Sequence, residues 1–115
     1  MGIGTIPPVQ QRPEVSLGYW QVFEVPLRGP TRPWTRHLAG WSYEDRQGQV
    51  SSAVKVFDTS TKTFITASGR RYRLMGSPGL HDDAAYVWTQ WKAMGLITEE
   101  RDVTGEVVDL IRCCG

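Results

Sequence analysis

The side chains that could perform acid–base, nucleophilic or metal chemistry are few in this chain. Its 115 residues include two histidines and two cysteines. The run His81-Asp82-Asp83 combines an imidazole with two carboxylates, as a metal site does, but a helix cap explains it more simply. A short acidic side chain at Asp82 or Asp83 can accept hydrogen bonds from the free N–H groups of a first helical turn. Because two histidines cannot form a three-histidine zinc site, we predict neither a metal site nor a cofactor.

The candidate nucleophiles lie in the wrong local settings for catalysis. Ser51 and Ser52 fall inside a predicted strand, whereas hydrolases place the reactive serine on a glycine-flanked turn between strand and helix. Cys113 and Cys114 are adjacent at the C-terminal end and would need a histidine that the fold brings to them. The run MGSPGLHDD, residues 75–83, has the order of a phosphate-binding loop, but its proline removes a donor and its aspartates repel phosphate. We therefore predict that the protein is not an enzyme.

Arginine is the residue type with the most notable distribution along the chain, because most arginines fall in the first 75 residues. Arginines interleaved with Trp and Tyr suit nucleic-acid backbones and base stacking. The same residue types dominate the binding energy of protein interfaces. A solvated strand face is a third explanation of the pattern. The residues that we predict to contact a partner are Arg32, Trp34, Arg36, Arg46, Arg70, Arg71 and Arg73.

Composition places the chain among ordinary globular domains. Hydrophobic residues make up 40% of it and charged residues 22%, and 115 residues are enough to bury one core. The formal net charge of +1 gives the whole molecule little attraction to nucleic acid or to an anionic membrane. The longest apolar stretches are far shorter than the ~20 residues of a membrane helix, and the N-terminal residues lack a secretory signal. With so few cysteines, we predict a cytoplasmic protein without a membrane partner.

Strand signals alternate with turn signals over most of the chain. Residues 1–16 contain three prolines and are predicted to form an extended or disordered arm. Prolines also make residues 28–36 a loop. Within residues 71–74 arginine alternates with Tyr or Leu, so one face of that strand is apolar and the other carries arginines. The predicted strands cover residues 17–27, 37–44, 50–58, 63–67, 70–75 and 105–111.

A single helix is predicted over residues 84–94, because apolar side chains recur there at steps of three and four. Asp82 or Asp83 would cap its start, and Gly95 would end it in left-handed backbone with Leu96 packing back on it. The apolar stripe of this helix consists of Ala84, Val87, Trp88, Trp91 and Met94. The predicted core consists of Val22, Val54, Val56, Tyr72, Leu74, Val87, Trp88, Trp91 and Val108.

Together these elements predict an α+β fold in one domain. A twisted antiparallel sheet of five or six strands, arranged as a meander, carries the Trp-rich helix packed on its apolar face. The domain covers residues 17–112, after the arm of residues 1–16 and before a C-terminal tail of residues 113–115.

Several short runs lie within residues 36–92, namely RHLAGWSYED, GQVSSAVKVFD, SGRRYRL, GSPG and AAYVWTQW. Together they resemble small uncharacterised proteins of prophages and mobile elements in high-GC proteobacteria. The resemblance implies a phage accessory role, of which inhibition of host defence by anti-CRISPR proteins is one example. It carries no catalytic residue over to this chain.

The function that we predict is that of a non-enzymatic binding protein. It would occlude a macromolecular partner in the host cell, either a protein or a ribonucleoprotein complex. The alternative is a nucleic-acid-binding protein that uses an arginine-rich and aromatic sheet face. The two hypotheses differ in salt dependence, since neutralising phosphates releases counterions and makes affinity fall steeply with salt. From the small net charge we expect only weak contact with DNA or RNA.

Overall fold

The protein has a mixed α+β fold, which confirms the predicted class. The structure is a computed structural model that describes residues 6–114, and Cys114 by its backbone alone. Seven strands form a mostly antiparallel sheet, and two helices pack on it. In chain order the elements are β1 (Glu14–Val25), β2 (Thr35–Ser42), β3 (Gln47–Val50), β4 (Val54–Asp58), β5 (Thr63–Thr66), β6 (Arg71–Leu74), α1 (Asp82–Met94), β7 (Arg101–Asp102) and α2 (Thr104–Cys114).

The sheet closes on itself through one bent segment. Its strands lie in the order β3-β2-β1-β6-β5-β4, with β7 paired to β1, and β1 and β6 run parallel. At one end Ser51 N donates to Leu38 O at 2.9 Å and extends the β2–β3 ladder. At the other end Ala67 N donates to Ala53 O at 2.8 Å and extends the β4–β5 ladder. The predicted strand 50–58 is therefore two strands, one at each end of the sheet, joined by a short link.

The interior of the closed sheet holds the first of two hydrophobic clusters. Gln49 Nε2 donates to the Tyr72 hydroxyl at 2.9 Å, which joins β3 to β6 across this interior. Helix α2 closes the cluster, with Val107 only 1% exposed. The buried members are Val15, Leu17, Trp20, Val22, Leu38, Phe64, Tyr72, Leu74, Val103 and Val107.

Helix α2 corrects the prediction of a closing strand at residues 105–111. The Asp102 carboxylate accepts a hydrogen bond from Thr104 N at 2.9 Å and starts the helix. Val107, Val108 and Ile111 then recur at helical spacing and meet the interior cluster. The weak alternation seen in the sequence fits both periods, and the helical period is the one that places these side chains together on one side.

Helix α1 packs on the outer face of the sheet against the second cluster. Residue Gly48 allows this approach, because a Cβ at that position would lie 2.5 Å from Asp83 O in the first turn of the helix. The prediction that the Trp-rich helix covers the same face as Val22 and Tyr72 is therefore wrong. The buried members of this outer cluster are Phe23, Val25, Ala39, Val50, Val87 and Trp88.

Most of the predicted core is confirmed, with one clear exception. Val56 is 53% exposed, because the register between β4 and β5 shifts between Val54 and Val56. This bulge turns Phe57 toward the interior cluster in place of Val56. The buried predictions are Val22, Tyr72, Leu74, Val87 and Trp88, and the half-buried ones are Val54, Trp91 and Val108.

Both ends of α1 differ from the prediction. Residue His81, rather than Asp82 or Asp83, caps the start: its Nδ1 accepts from Asp83 N at 3.1 Å. At the other end Gly95 has φ −88, and Leu96 adopts the left-handed backbone with φ 55. Leu96 is exposed, as is Met94, so the stripe ends before Met94 and Leu96 does not pack back on the helix. Next along the chain, Ile97 packs against the outer cluster in its place.

Candidate interaction surfaces

The predicted partner-binding residues do not form one surface. Arg32 and Arg46 lie in exposed connections, Arg32 between β1 and β2 and Arg46 between β2 and β3. Trp34 and Arg36 line a pocket at the start of β2. The remaining arginines, at 70, 71 and 73, divide between the inside and the outside of the fold.

Arg70 holds the N-terminal segment and is not available to a partner. Its side chain is 6% exposed, Nε donates to Arg12 O at 2.9 Å, and Nη2 donates to Pro7 O. Arg12 in turn bonds the Asp45 carboxylate at 3.1 Å. The prediction of an exposed Arg70 is wrong because this residue shares the parity of Tyr72, which points inward. In the predicted arm, residues 1–5 lie outside the described residues, and β1 begins at Glu14.

The arginine face is the exposed side of β6 with its neighbours, defined here as Glu14, Thr63, Ile65, Arg71 and Arg73. Strand pairing places Arg71 between Glu14 and Ile65. Arg73 Nη2 donates to Ser16 Oγ at 3.2 Å, and its Nη1 lies 3.8 Å from the Glu14 carboxylate. These residues line a shallow pocket on the outside of the sheet. The alternation read from residues 71–74 is therefore confirmed.

The aromatic patch lies beside the arginine face and consists of Tyr19, Trp41, Tyr43 and His81. The His81 ring stacks on Trp41 with centroids 4.5 Å apart and meets the Tyr19 ring at 5.3 Å. Tyr43 lies over Gly18, where an added Cβ would come within 2.6 Å of the tyrosine ring. Tyr19 is 49% and Tyr43 50% exposed. The patch therefore offers several rings that neither helix covers.

Tyr19 stands out by its backbone as well as by its exposure. Its φ of 47 lies in the left-handed region, which costs a non-glycine residue free energy. The cause is an irregularity between Gly18 and Gln21, where β1 carries an extra residue relative to β2. The bulge turns Tyr19 outward while Trp20 stays buried in the interior. Local sequence does not predict this patch, and its only signal is the run Gly18-Tyr19-Trp20, where glycine precedes two large rings in a strand.

Charges around the patch and the arginine face are of both signs. The Glu44 carboxylate accepts a hydrogen bond from Ser16 N at 2.7 Å. Burial favours a higher pKa for Glu44, but the hydrogen bonds from Ser16 outweigh it and lower the pKa below its ordinary value. Glu44 is therefore ionised at neutral pH. It lies beside Ser16 of β1, whose hydroxyl accepts a hydrogen bond from Arg73.

Comparisons of this chain with protein-family profiles, with curated proteins and with solved structures found no match. The surfaces must therefore be interpreted from their geometry. Within residues 6–113 no three His, Cys, Asp or Glu side chains come together in a way that could hold a metal ion. No helix in this part of the chain is long and apolar enough to cross a bilayer. Cys113 is exposed with a free thiol.

The Trp34 pocket is the second exposed region with both an aromatic ring and cations. It lies at the opposite end of β2 from Trp41 and is lined by Trp34, Arg28, Arg36, Lys55 and Glu24 among others. Arg36 Nε donates to the Glu24 carboxylate at 2.8 Å and its Nη2 to Glu106 at 3.0 Å. Burial opposes the charge of Arg36, but these two carboxylates raise its pKa above the ordinary value.

Arg101 places a further cation against the Trp34 ring. Its guanidinium lies 3.8 Å from the centroid of the Trp34 ring, a cation–π contact, and its Nε is 3.9 Å from the Glu24 carboxylate. Strand β7 positions it, because Arg101 pairs with Glu24 of β1 in the sheet. The Trp34 ring therefore contacts a cation from β7 and lies in a pocket lined by cations from β2, β4 and the connection after β1.

Proposed function

We propose that the protein is a non-enzymatic binding protein that docks on a partner protein through the aromatic patch and the adjoining arginine face. The observation that carries this proposal is the half-exposed ring of Tyr19, held outward by a left-handed backbone among three other aromatic side chains. Unfavourable backbone conformations concentrate at functional sites, where the surrounding structure maintains them. A centre of exposed rings with a polar rim is the usual composition of a protein interface.

Contiguity of the two surfaces supports one docking face. Strand pairing places Gly18, under the Tyr43 ring, opposite Trp41 of β2. Ser16, two positions earlier in β1, accepts a hydrogen bond from Arg73 of β6. The rings and the arginines therefore meet across β1, with Arg71 and Arg73 at the rim.

The chemistry of this face fits a partner that presents apolar side chains at its centre and a carboxylate at its edge. Arg71 has no carboxylate within ion-pair distance among the described residues, whereas Arg73 is 3.8 Å from Glu14. A guanidinium in a rim can bind a partner carboxylate with two parallel hydrogen bonds. Such a partner would place its apolar group on Tyr19 and Trp41.

Direct nucleic-acid binding by this face is the less favoured interpretation. Glu14 and Asp58 line the same shallow pocket as the two arginines, and these carboxylates would repel a phosphate backbone. The hydrogen bond from the Ser60 hydroxyl is the main cause that lowers the pKa of Asp58, and it outweighs desolvation, which acts in the opposite direction. We therefore expect affinity for a partner to depend weakly on salt.

The narrower hypothesis is that the partner belongs to a host defence complex and that the protein is a phage or mobile-element accessory factor acting in the host cytoplasm. This hypothesis rests on the sequence resemblance alone. It requires that the purified protein inhibit a defined defence reaction and that a variant of the docking face lose the inhibition.

The proposal is tested by matched tyrosine variants. Tyr19→Gly removes the ring and leaves a residue that adopts the left-handed backbone without strain. Tyr86→Ser removes a ring of similar exposure, 47%, from the side of α1 that faces solvent. The tagged full-length variants are used to capture partners, and each captured protein is purified and titrated against them. We expect Tyr19→Gly to weaken binding by about 30-fold or more, as for an interface hot spot, and Tyr86→Ser to change it little.

A double variant, Arg71→Gln with Arg73→Gln, tests the rim. We expect a loss of about threefold to tenfold, mainly in the association rate, since rim charges act through steering. A purified partner that binds wild type, Tyr19→Gly and Tyr86→Ser equally well would show that docking occurs elsewhere and would overturn the proposal. The proposal would also be overturned if the protein itself converted a substrate at a rate that the captured partner did not change.

A further inference from the structure

We infer that the Trp34 pocket is a second binding site, independent of the docking face, and that it takes a nucleoside phosphate. Two features of the pocket lead to this class of ligand. One is an excess of positive charge within a small area, and the other is an aromatic ring at the same place. A nucleoside phosphate is the common biological ligand that presents an anion and a flat ring together.

The charge excess follows from the ion pairs. Glu24 is shared by Arg36 at 2.8 Å and Arg101 at 3.9 Å, and Glu106 also bonds Arg36. The carboxylates of the pocket are therefore engaged by these two arginines. Arg28 and Lys55 have no carboxylate within ion-pair distance among residues 6–114, and both are exposed. These two cations are available to an added anion.

The two available cations come from different elements, and both line the pocket together with Trp34. Arg28 comes from the connection after β1 and Lys55 from β4, while Trp34 immediately precedes β2. A phosphate between Arg28 and Lys55 would receive charge-assisted hydrogen bonds from two sides. The attached base would then lie against the Trp34 ring, which the guanidinium of Arg101 also contacts.

The arrangement differs from a surface that binds nucleic acid strands. A strand needs a groove that follows several phosphates in succession. Here the pocket lining holds a single aromatic ring, Glu24 lies among the cations, and Glu106 pairs with Arg36, so no continuous track of positive charge is present among the described residues. We therefore assign the site to a free nucleotide rather than to a polymer.

The test is a calorimetric titration of the full-length protein at about 0.1 M salt, where surface charges are moderately screened. The probes are ADP, adenosine and inorganic pyrophosphate. We expect ADP to bind saturably and at least about tenfold more tightly than either fragment, because it alone engages both the cations and the ring. Saturation by ADP also has an optical readout: the stacked base should quench part of the fluorescence of the five tryptophans in wild type, and Trp34→Leu should lose this quenching.

Matched lysine variants identify the site. Lys55→Gln removes a cation from the Trp34 pocket. Lys62→Gln removes an exposed cation from the β4–β5 turn, and Lys62 does not line that pocket. We expect Lys55→Gln and Arg28→Gln each to weaken ADP binding about tenfold, as for the loss of one charge-assisted hydrogen bond, and Lys62→Gln to leave it unchanged. Trp34→Leu should reduce ADP binding to the level of pyrophosphate, with its melting temperature recorded to confirm that it folds.

Three results would overturn the inference. The first is that ADP binding does not saturate up to about 10 mM, because a dissociation constant above that concentration is too weak for a functional site. The second is an equal loss of binding in Lys55→Gln and Lys62→Gln, which would show a diffuse charge effect. The third is a short oligothymidylate that binds more tightly than ADP and depends on Lys55, because the pocket would then be part of a strand-binding surface. None of these results bears on the docking face, since Lys55 lies outside it.

Discussion

The outer face of the sheet has two halves that carry the same kinds of side chain and differ in whether a helix covers them. In the covered half, Trp88 stacks on Phe23 at 4.6 Å and on Trp91 at 5.1 Å, and Trp91 meets His37 at 4.6 Å. In the uncovered half, the aromatic patch has its own histidine, His81, between two rings. Both halves use β1 and β2, so the difference comes from where α1 begins.

The position of α1 decides what each set of rings does. The helix starts at the edge of the patch, with His81 as its cap, and runs along β2 toward His37. Rings under the helix lose their water and contribute to folding through buried area. The Tyr19 and Tyr43 rings beside its first turn are about half exposed, so they bury less area and contribute less to folding. Aromatic residues alone therefore do not mark a binding site, because the covering element must also be known.

The largest effect that separates the two halves should come from tryptophan truncation. Trp88→Ala removes a 5% exposed side chain from the outer cluster, together with its Nε1 hydrogen bond to Glu100. We expect a loss of about 3–5 kcal/mol in the free energy of unfolding, from lost burial and the cavity that remains. Urea denaturation of both proteins would measure it.

Trp41→Ala is the matched variant in the uncovered half. Its ring is half-buried and stacks on His81, so we expect a loss of about 1–2 kcal/mol, in proportion to the smaller area buried. If both variants lost equal stability, the patch would belong to the core, and its proposed role in docking would lose its basis.

Much of this fold could be predicted from local patterns. The alternation in residues 71–74 predicts the correct faces of β6, and the steps of three and four from Ala84 to Val87 and Trp88 predict α1. The parallel pairing of β1 with β6 could not be predicted, because it depends on how the sheet closes. The division of residues 50–58 between two strands could not be predicted either. Both parts have the composition of a strand, and they differ only in which distant strand each one pairs with.

The site was less predictable than the fold. Arg71 and Arg73 were assigned to an exposed face correctly, while Arg70 was not, although its parity already placed it with the inward residues. The aromatic patch depends on the bulge at Tyr19, and an added residue in one strand becomes visible only against the register of its partner. Local sequence thus predicts which way a side chain points until a bulge intervenes.

An intermediate effect should come from pH, through the histidine of the covered half. Burial lowers the pKa of His37 below its ordinary value, although its bond to Ser51 O opposes this. Above about pH 6.5 the side chain is neutral in both the folded and the unfolded states, and its full contribution is present. As pH falls below that value, the unfolded chain takes up a proton that the folded protein resists, so stability declines until the folded pKa is reached.

The measurement is the urea midpoint at several pH values between about 8 and 5.5, a range that includes the ordinary pKa of histidine. We expect the midpoint to fall across this range in wild type. His37→Gln keeps groups that can bond Ser51 O and Thr35, and in this variant the decline should largely disappear. A decline of the same size in His37→Gln would assign it to other groups.

The smallest effect on stability should come from Tyr19, for which we expect the greatest effect on binding. Glycine adopts the left-handed backbone without steric cost, so Tyr19→Gly relieves the strain at φ 47 and loses the ring contact with His81. We expect these two terms to offset, with a net change within about 1 kcal/mol. Tyr19→Val is the contrasting variant, because a β-branched residue tolerates this backbone poorly and should lower stability by about 1–3 kcal/mol. Both variants lose the ring, so both should lose partner binding, and only Tyr19→Val should melt at a lower temperature. If Tyr19→Gly instead melted well below wild type, the ring would stabilise the fold as those under α1 do, and the distinction between the two halves would fail.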